Sequence, residues 1–284
     1  MGKGFLAAAA SAAVPPLKRL VAHRDRLLDQ NERLRKEVLR LTLDLESARG
    51  AASPLRAIAS GVDGDAADAG ADLGFLFIVT YGRSGSTLLM GLLDGTPGYC
   101  IRGENSGALY KLFEYHSAAI QARAQWTGDK PLTATHPWYG IDGYPAAIAA
   151  AHMRQLVIDT LLRPEPGTRV AGFKEIRWWQ ARPDEYLAFI ETLFPGARFI
   201  LNTRNLEDVA RSRWVRYNPN ALTELADVET RLREAVEKRG DRGYQVHFDD
   251  YVKDPSSLRG LYDWLGEEYD TDRVAKTLSV RHSF

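Results

Sequence analysis

Residues 75–89 read Phe-Leu-Phe-Ile-Val-Thr-Tyr-Gly-Arg-Ser-Gly-Ser-Thr-Leu-Leu, and this stretch decides the fold. Its first five residues form an apolar run typical of a strand that is buried on both faces. A turn rich in Gly and Ser follows, and Ser86 then begins a helical pattern that extends to residue 94. A strand, a tight turn and a helix in this order direct main-chain N–H groups and a helix N-terminus at one point, which predicts an anion-binding loop.

The side chains of this loop fit an anion as well. Gly82 and Gly85 let the backbone curl without a Cβ clash. Arg83 supplies a permanent charge that can grip a phosphate or sulfate through two N–H groups. Further hydroxyl donors come from Ser84, Ser86 and Thr87.

The loop departs from the nucleoside triphosphatase pattern G-x-x-x-x-G-K-[ST] at two positions. Thr80 stands where the first Gly belongs, and Ser86 replaces the Lys that reaches the β- and γ-phosphates. The later strand at 198–203 is followed by Arg204 and does not end in a magnesium-binding Asp. The sequence therefore predicts a site for an anion without a metal.

Short apolar runs alternate with helical patterns from residue 73 onward, which predicts an α/β fold: a three-layer sandwich around a parallel sheet. The expected strands are 75–80, 169–173, 198–203 and 244–248. The expected helices are 86–94, 145–162, 183–194, 205–213, 221–238 and 255–265.

Three segments together resemble a known family. TYGRSGSTLL at 80–89 and RFILNTRNLEDVARS at 198–212 look like the two motifs of sulfotransferases that use 3′-phosphoadenosine 5′-phosphosulfate (PAPS). VHFDDYVKDP at 246–255, with the helix that follows, is similar to the C-terminal part of that family. The resemblance covers residues 74–270 and implies a P-loop-like sulfotransferase fold.

The resemblance also implies how the donor is held. Its first motif would cradle the 5′-phosphosulfate with Arg83, Ser84, Gly85, Ser86 and Thr87. Its second motif would bind the 3′-phosphate through Arg204 and, eight residues on, Ser212. Independently of the resemblance, Arg204 follows a strand and so lies on the rim where open α/β sheets bind ligands. The alternative for Arg204 is a surface ion pair with Glu207 or Asp208.

Transfer to a hydroxyl needs a base for the acceptor proton and cations near the developing charge. Arg83 is one such cation, and Lys174 at the end of the strand 169–173 is a candidate for a second; the alternative is that Lys174 and Glu175 are only a polar strand end. Glu104 is the first candidate for the base, because carbohydrate-type sulfotransferases place a glutamate at this point of the chain; its alternatives are an ion pair with Arg102 and the capping of a turn. His136 is the second candidate, by analogy with family members that modify phenols and steroids.

An aromatic group could form a stacking floor for sugar rings or adenine, although most aromatic side chains belong to cores. Its members nearest the expected rim are Trp178 and Trp179, and the others are Trp126, Trp138 and Tyr139.

The N-terminal quarter has a different character. Residues 1–16 are Ala-rich, and residues 17–48 carry Leu at every seventh position from Leu20 to Leu41, which predicts a coiled-coil helix that forms a homodimer. Asn31 on the seam favours a parallel pair, and a single helix folded on the globular domain is the alternative. Residues 49–72 resemble a flexible linker, and the catalytic domain is expected at 73–284.

The composition and charge of the chain bear on its partners and its location. The 284 residues contain 37 Lys and Arg against 37 Asp and Glu, which argues against nucleic acid as a partner. The single cysteine fits the cytoplasm, and the longest apolar run is short of a membrane span. The net charge of +4 over residues 1–50 would allow weak contact with the inner face of an anionic membrane.

These observations predict an enzyme that transfers sulfonate from PAPS, without a metal, to a hydroxyl of a carbohydrate or glycolipid. Two alternatives stay open at this point: a P-loop small-molecule kinase, and a non-catalytic coiled-coil scaffold with a degenerate nucleotide-binding domain.

Overall fold

The structure is a computed structural model that describes residues 73–128, 131–178, 182–212 and 218–279. Five parallel strands form one sheet in the order β2-β3-β1-β4-β5. The strands are β1 (Gly74–Val79), β2 (Tyr99–Arg102), β3 (Val170–Glu175), β4 (Arg198–Thr203) and β5 (Gly243–His247).

Helices connect these strands. The helices of the described residues are α1 (Ser86–Asp94), α2 (Ala108–Trp126), α3 (Ala146–Val157), α4 (Pro183–Leu193), α5 (Leu206–Ala210), α6 (Ala221–Glu237), α7 (Phe248–Lys253), α8 (Arg259–Leu265) and α9 (Thr271–Ser279). None of them is both long and apolar enough to cross a membrane.

Both faces of the sheet are covered, because side chains alternate between the faces along each strand. Phe75, Phe77 and Val79 of β1 pack into one core, to which α2, α3, α4 and α6 contribute. Leu76 and Ile78 pack into the other, together with α1, α7, α8 and α9. The prediction of a three-layer α/β sandwich with a parallel sheet is confirmed.

The central strand β1 comes very close to β3. A Cβ atom at Gly172 would lie 1.6 Å from the main-chain oxygen of Leu76, so only glycine fits there. Val79 pairs with Glu175 of β3 and with Leu201 of β4, which brings the carboxyl ends of the three strands to one edge. The loop after β1, the end of β3 and the residues after β4 therefore meet at that edge, where open α/β sheets bind ligands.

Several boundaries differ from the sequence prediction. Strand β2 and helix α2 were not predicted, and the expected helix 145–162 is α3 followed by a π-helical stretch at Ile158–Leu162. The expected helix 205–213 is shorter, since α5 ends at Ala210. The predicted segments 1–16, 17–48 and 49–72 lie outside the described residues.

Candidate active site

The loop between β1 and α1, residues 80–85, has the tight path that the sequence predicts. Arg83 and Gly85 both adopt left-handed backbone conformations, with φ of 68° and 79°, and Ser86 then begins α1. Left-handed geometry is strained for a residue with a Cβ, so Arg83 is held in place by its surroundings. The turn leaves the first N–H groups of α1 without a side-chain cap, as an anion site requires.

Phe248 of α7 explains why the loop needs glycine at its end. A Cβ atom at Gly85 would lie 2.0 Å from Cδ2 of the Phe248 ring. The ring of Tyr251 stands edge-on against Phe248, with centroids 5.5 Å apart. The C-terminal part of the chain thus forms one wall of the loop.

A buried polar network fixes the loop to β4. Thr80 Oγ1 lies 2.7 Å from the main-chain oxygen of Asn202 and 2.6 Å from Ser84 Oγ. Asn202 Nδ2 donates to the main-chain oxygen of Ser84 at 2.9 Å, and the Tyr251 hydroxyl donates to Asn202 Oδ1 at 3.0 Å. Because the Ser84 side chain is fully buried and used inside the loop, it supports the loop and faces no solvent. Thr87 and Arg83 are exposed, and Ser86 is buried.

Arg204 lies beside this loop. Its Nη1 donates to the main-chain oxygen of Arg83 at 3.2 Å, and its guanidinium lies 4.7 Å from the ring centroid of Phe248. Its nearest recorded carboxylate is Asp249, at 3.9 Å from Nε, whereas Asp208 pairs with Arg211. The alternative of a surface ion pair with Glu207 or Asp208 is therefore not observed.

Two buried donors in the segment that follows β4 have no hydrogen-bond partner within the described residues. They are Nε of Arg204 and Oγ of Ser212. Ser212 follows α5, whose start is capped by Asn205 Oδ1 accepting from the N–H groups of Glu207 and Asp208. Leaving a buried donor unpaired costs about 1–3 kcal/mol, so such atoms indicate a missing acceptor. A phosphate oxygen is the kind of acceptor that either donor could bind.

Glu104 and Lys174 meet at the carboxyl end of the sheet. Lys174 Nζ donates to Glu104 Oε1 at 2.5 Å, and Lys174 is buried while Glu104 faces solvent. Lys174 lies opposite Ile78 of β1, next to the 80–85 loop. Arg102 instead pairs with Glu165 at 3.2 Å, so the alternative pair of Glu104 with Arg102 is not formed.

Glu175 holds the loop that carries Glu104, and sequence reasoning missed this role. Its Oε2 accepts hydrogen bonds from the N–H groups of Asn105 at 3.2 Å and Gly107 at 2.9 Å. Its Oε1 accepts from the N–H groups of Ile176 and Arg177. This carboxylate, in a residue that is only 1% exposed, thus fixes two turns at once. No local sequence pattern indicates this role.

His136 lies in a different environment from the other candidates. Its Nδ1 accepts a hydrogen bond from the N–H of Trp138 at 3.2 Å, and its ring packs against Trp126. Trp126 and Trp138 are stacked, with centroids 5.7 Å apart and planes 17° apart, and Trp138 and Tyr139 are exposed. The recorded contacts of His136 are all with the segment that follows α2 or with the end of that helix.

Trp178 was expected at the rim and is instead in the core. It is 1% exposed, its ring centroid lies 5.0 Å from that of Tyr186, and its Nε1 donates to the main-chain oxygen of Glu175. The next residue, Trp179, lies outside the described residues. Across the described ranges, no three His, Cys, Asp or Glu side chains are grouped so as to hold a metal ion.

The parallel sheet, the tight loop after its central strand and the basic side chains at the same edge form the arrangement in which open α/β proteins bind ligands. Comparison with known families identifies the family: residues 76–271 match the sulfotransferase family. The chain belongs to that family, as its motifs predicted.

Solved structures of sulfotransferases are similar to this chain at low identity. The sulfotransferase domain of the Synechococcus PCC 7002 olefin synthase is 21% identical, covering 73% of this chain and 78% of that one, with a TM-score of 0.47. The sulfotransferase domain of the curacin biosynthetic pathway is 18% identical over the same shares, also at 0.47. Sulfotransferase STF1 of Mycobacterium tuberculosis is 13% identical, covering 75% and 72%, at 0.39. No curated protein matches the chain.

Proposed function

We propose that this protein transfers a sulfonate group from PAPS to a hydroxyl of a carbohydrate or glycolipid. The observation that carries the proposal is that two buried donors, Arg204 Nε and Ser212 Oγ, have no hydrogen-bond partner among the described residues, and that Arg204 lies beside the 80–85 loop. A nucleotide with phosphate groups on both its 3′ and 5′ positions would use both features, whereas ATP has no 3′-phosphate. Family membership and the missing loop Lys also count against the kinase alternative.

The residues of this chain divide between the two ends of such a donor. The N–H groups of the 80–85 loop and the start of α1 would bind the 5′-phosphosulfate, with Arg83, Ser86 and Thr87 as side-chain ligands. Ser84 would contribute through its main chain, because its hydroxyl is occupied within the loop. Arg204 and Ser212 would bind the 3′-phosphate.

PAPS, when bound, supplies an activated sulfonate and a good leaving group. The protein must then remove the proton of the acceptor hydroxyl and neutralise negative charge. Glu104 would take the proton, since its carboxylate faces solvent at the edge of the site. Lys174 would hold that carboxylate in place and lend positive charge to the transfer, together with Arg83. His136 is the second candidate for the base.

The acceptor, partners and location are further parts of the proposal. The stacked pair of Trp126 and Trp138, of which Trp138 is exposed, supports a ring-shaped acceptor such as a sugar. We also propose a homodimer through residues 17–48, a cytoplasmic location and weak contact of the basic N-terminal segment with an anionic membrane. We propose no role for nucleic acid and no metal, so activity should survive EDTA.

Calorimetric titration of the full chain with 3′-phosphoadenosine 5′-phosphate (PAP), in parallel with ATP and magnesium, tests the donor. We expect micromolar binding of PAP and none of ATP. Arg204→Gln should weaken PAP binding at least tenfold, because it removes a charge-assisted contact. Arg211→Gln is the matched control, since that exposed guanidinium pairs with Asp208 and should leave affinity unchanged. Binding of ATP without PAP would favour the kinase.

Replacing Glu104 tests the base. Glu104→Gln should keep PAP affinity and lower turnover by about two to four orders of magnitude. Glu165→Gln removes another exposed carboxylate that forms an ion pair, with Arg102, and should keep full turnover. If Glu104→Gln turns over normally and His136→Asn does not, the base is His136. PAP binding with no transfer to any acceptor in a carbohydrate and glycolipid panel would support the scaffold alternative.

A further inference from the structure

Tyr81 joins three parts of the structure that are far apart in the sequence. Its hydroxyl accepts a hydrogen bond from the main-chain N–H of Arg204 at 3.0 Å and donates to Glu229 Oε2 at 2.5 Å. Tyr81 belongs to the 80–85 loop, Arg204 follows β4, and Glu229 lies in α6. The tyrosine is 3% exposed, so water does not compete for these bonds.

Glu229 is itself held from the other side. Its Oε1 accepts from Nη2 of Arg233 at 3.0 Å, and Nη1 of Arg233 donates to Gln245 Oε1 of β5 at 2.5 Å. The carboxylate that accepts the Tyr81 hydrogen bond is therefore fixed by its own helix and, through Arg233, by the edge strand. Burial, and then the hydrogen bond to Glu229, raise the pKa of Tyr81 well above its ordinary value, so the hydroxyl keeps its proton. Hydrogen bonds to a charged acceptor are stronger than neutral ones.

The consequence concerns the guanidinium of Arg204. Tyr81 fixes the main-chain atoms of Arg204. The Arg204 side chain lies on the Phe248 ring and donates to the main-chain oxygen of Arg83. Anchoring at both ends leaves the arginine few rotamers, while its buried Nε has no hydrogen-bond partner among the described residues. A side chain that is fixed before the ligand binds loses less conformational entropy on binding.

We propose that Tyr81 and Glu229 are positioning residues that set Arg204 for the 3′-phosphate of the donor and so make the site prefer nucleotides that carry this phosphate. The inference rests on the proposed use of PAPS. Neither residue needs to touch the nucleotide. Because Tyr81 is also part of the loop for the 5′-phosphosulfate, the same residue ties recognition of the donor's two ends together.

A merely structural role would have a different signature. If Tyr81 only supported the fold of the 80–85 loop, its loss would weaken the binding of every nucleotide that uses the loop. If Tyr81 positions Arg204, loss of Tyr81 should weaken the binding of PAP much more than the binding of adenosine 5′-phosphate (AMP), which has no 3′-phosphate. The ratio of the two affinities separates these roles.

The test is calorimetric titration of wild-type protein and variants with PAP and with AMP. We expect Tyr81→Phe to lower the PAP affinity about tenfold and the AMP affinity less than twofold, since one hydrogen bond to a main-chain anchor is lost. Glu229→Gln keeps an acceptor oxygen but loses the charge, so its PAP affinity should fall about threefold. Tyr269→Phe is the matched control, because that hydroxyl donates to the main-chain oxygen of Pro255 and should change neither affinity.

The possible outcomes separate the positioning role from the proposed function. Equal losses for PAP and AMP, or no loss for either, refute the positioning role while the proposed function stands. Failure of the wild-type protein to bind PAP refutes the proposed function, and this inference with it. If Tyr81→Phe does not fold, as shown by thermal unfolding, Glu229→Gln decides alone: an unchanged PAP to AMP ratio overturns the inference.

Discussion

Replacing Gly85 by Ala is the perturbation whose cost follows most directly from the structure. The new Cβ would lie 2.0 Å from Cδ2 of Phe248, whereas carbon atoms pack at about 3.5–4.0 Å. The ring must therefore move by about 1.5 Å. It has little room, since Tyr251 stands behind it and the guanidinium of Arg204 lies on it.

Two contributions make up the expected loss of stability. A left-handed conformation costs a residue with a Cβ about 1–2 kcal/mol, and Gly85 has a φ of 79°. Forcing extra volume into a packed region costs about 1–3 kcal/mol more. We expect Gly85→Ala to lower the free energy of unfolding by about 2–5 kcal/mol, a large share of the 5–15 kcal/mol typical of a domain.

Urea unfolding measures this loss, and the chain offers a matched control. Gly196 has the same φ of 79°, but nothing lies within 4 Å of its added Cβ. Gly196→Ala should therefore cost only the conformational share, about 1–2 kcal/mol. Equal losses for the two variants would refute the packing argument. Removal of the ring in a Phe248→Ala background should reduce the extra cost at Gly85, as a double-mutant cycle would show.

Three further predictions concern other parts of the molecule. Glu175→Gln should lower the free energy of unfolding by about 2–4 kcal/mol in urea, because main-chain N–H groups that the carboxylate accepts from would be left buried and unpaired; an equally stable variant would contradict this. Hydrogen bonds from Arg239 and Lys238 outweigh burial and hold the pKa of Asp184 below its ordinary value. Its stabilisation is thus present above pH 4 and lost as the pH falls through the folded-state pKa. Asp184→Asn should cost about 1 kcal/mol or less at pH 7, since the side chain is 43% exposed, and the difference should shrink as the pH falls below 4; unfolding curves at a series of pH values from 7 downward check this, and a cost that is the same at every pH would argue against the ion pairs. Cys100 is buried and is the single cysteine, so a thiol reagent should label the protein only when it unfolds, and rapid labelling of the native protein would place this side chain at the surface.

Most of the sheet could be predicted from the sequence because its strands are continuous apolar runs. Phe75 to Val79 and Phe199 to Leu201 are buried on both faces, so their composition alone marks them. Strand β2 is only four residues long and ends in Arg102, which gives too short a run to recognise. Helix α2 was missed since few of its residues are buried, and its exposed surface includes apolar side chains such as Tyr115 and Ile120.

In the candidate site, too, some residues could be predicted from the sequence and others could not. Residues that belong to a motif, such as Arg83 and Arg204, could be found because a short pattern carries them. The residues that hold these groups in place could not. Glu175 is joined to its loop across 68 positions or more, and Tyr81 to Glu229 across 148. Such contacts depend on the folded topology, which no local periodicity encodes.

The sheet order has a consequence for synthesis on the ribosome. The central strand β1 is made first, but its two partners begin at Val170 and Arg198, the nearer of them 96 residues after Gly74. At about 5–20 residues per second, this apolar strand waits about 5–20 s for a neighbour. Throughout that interval the nascent chain exposes an unpaired apolar segment of high β-propensity, the type of sequence that promotes aggregation. Production of the protein should therefore depend on chaperones that bind nascent chains and should improve at low temperature.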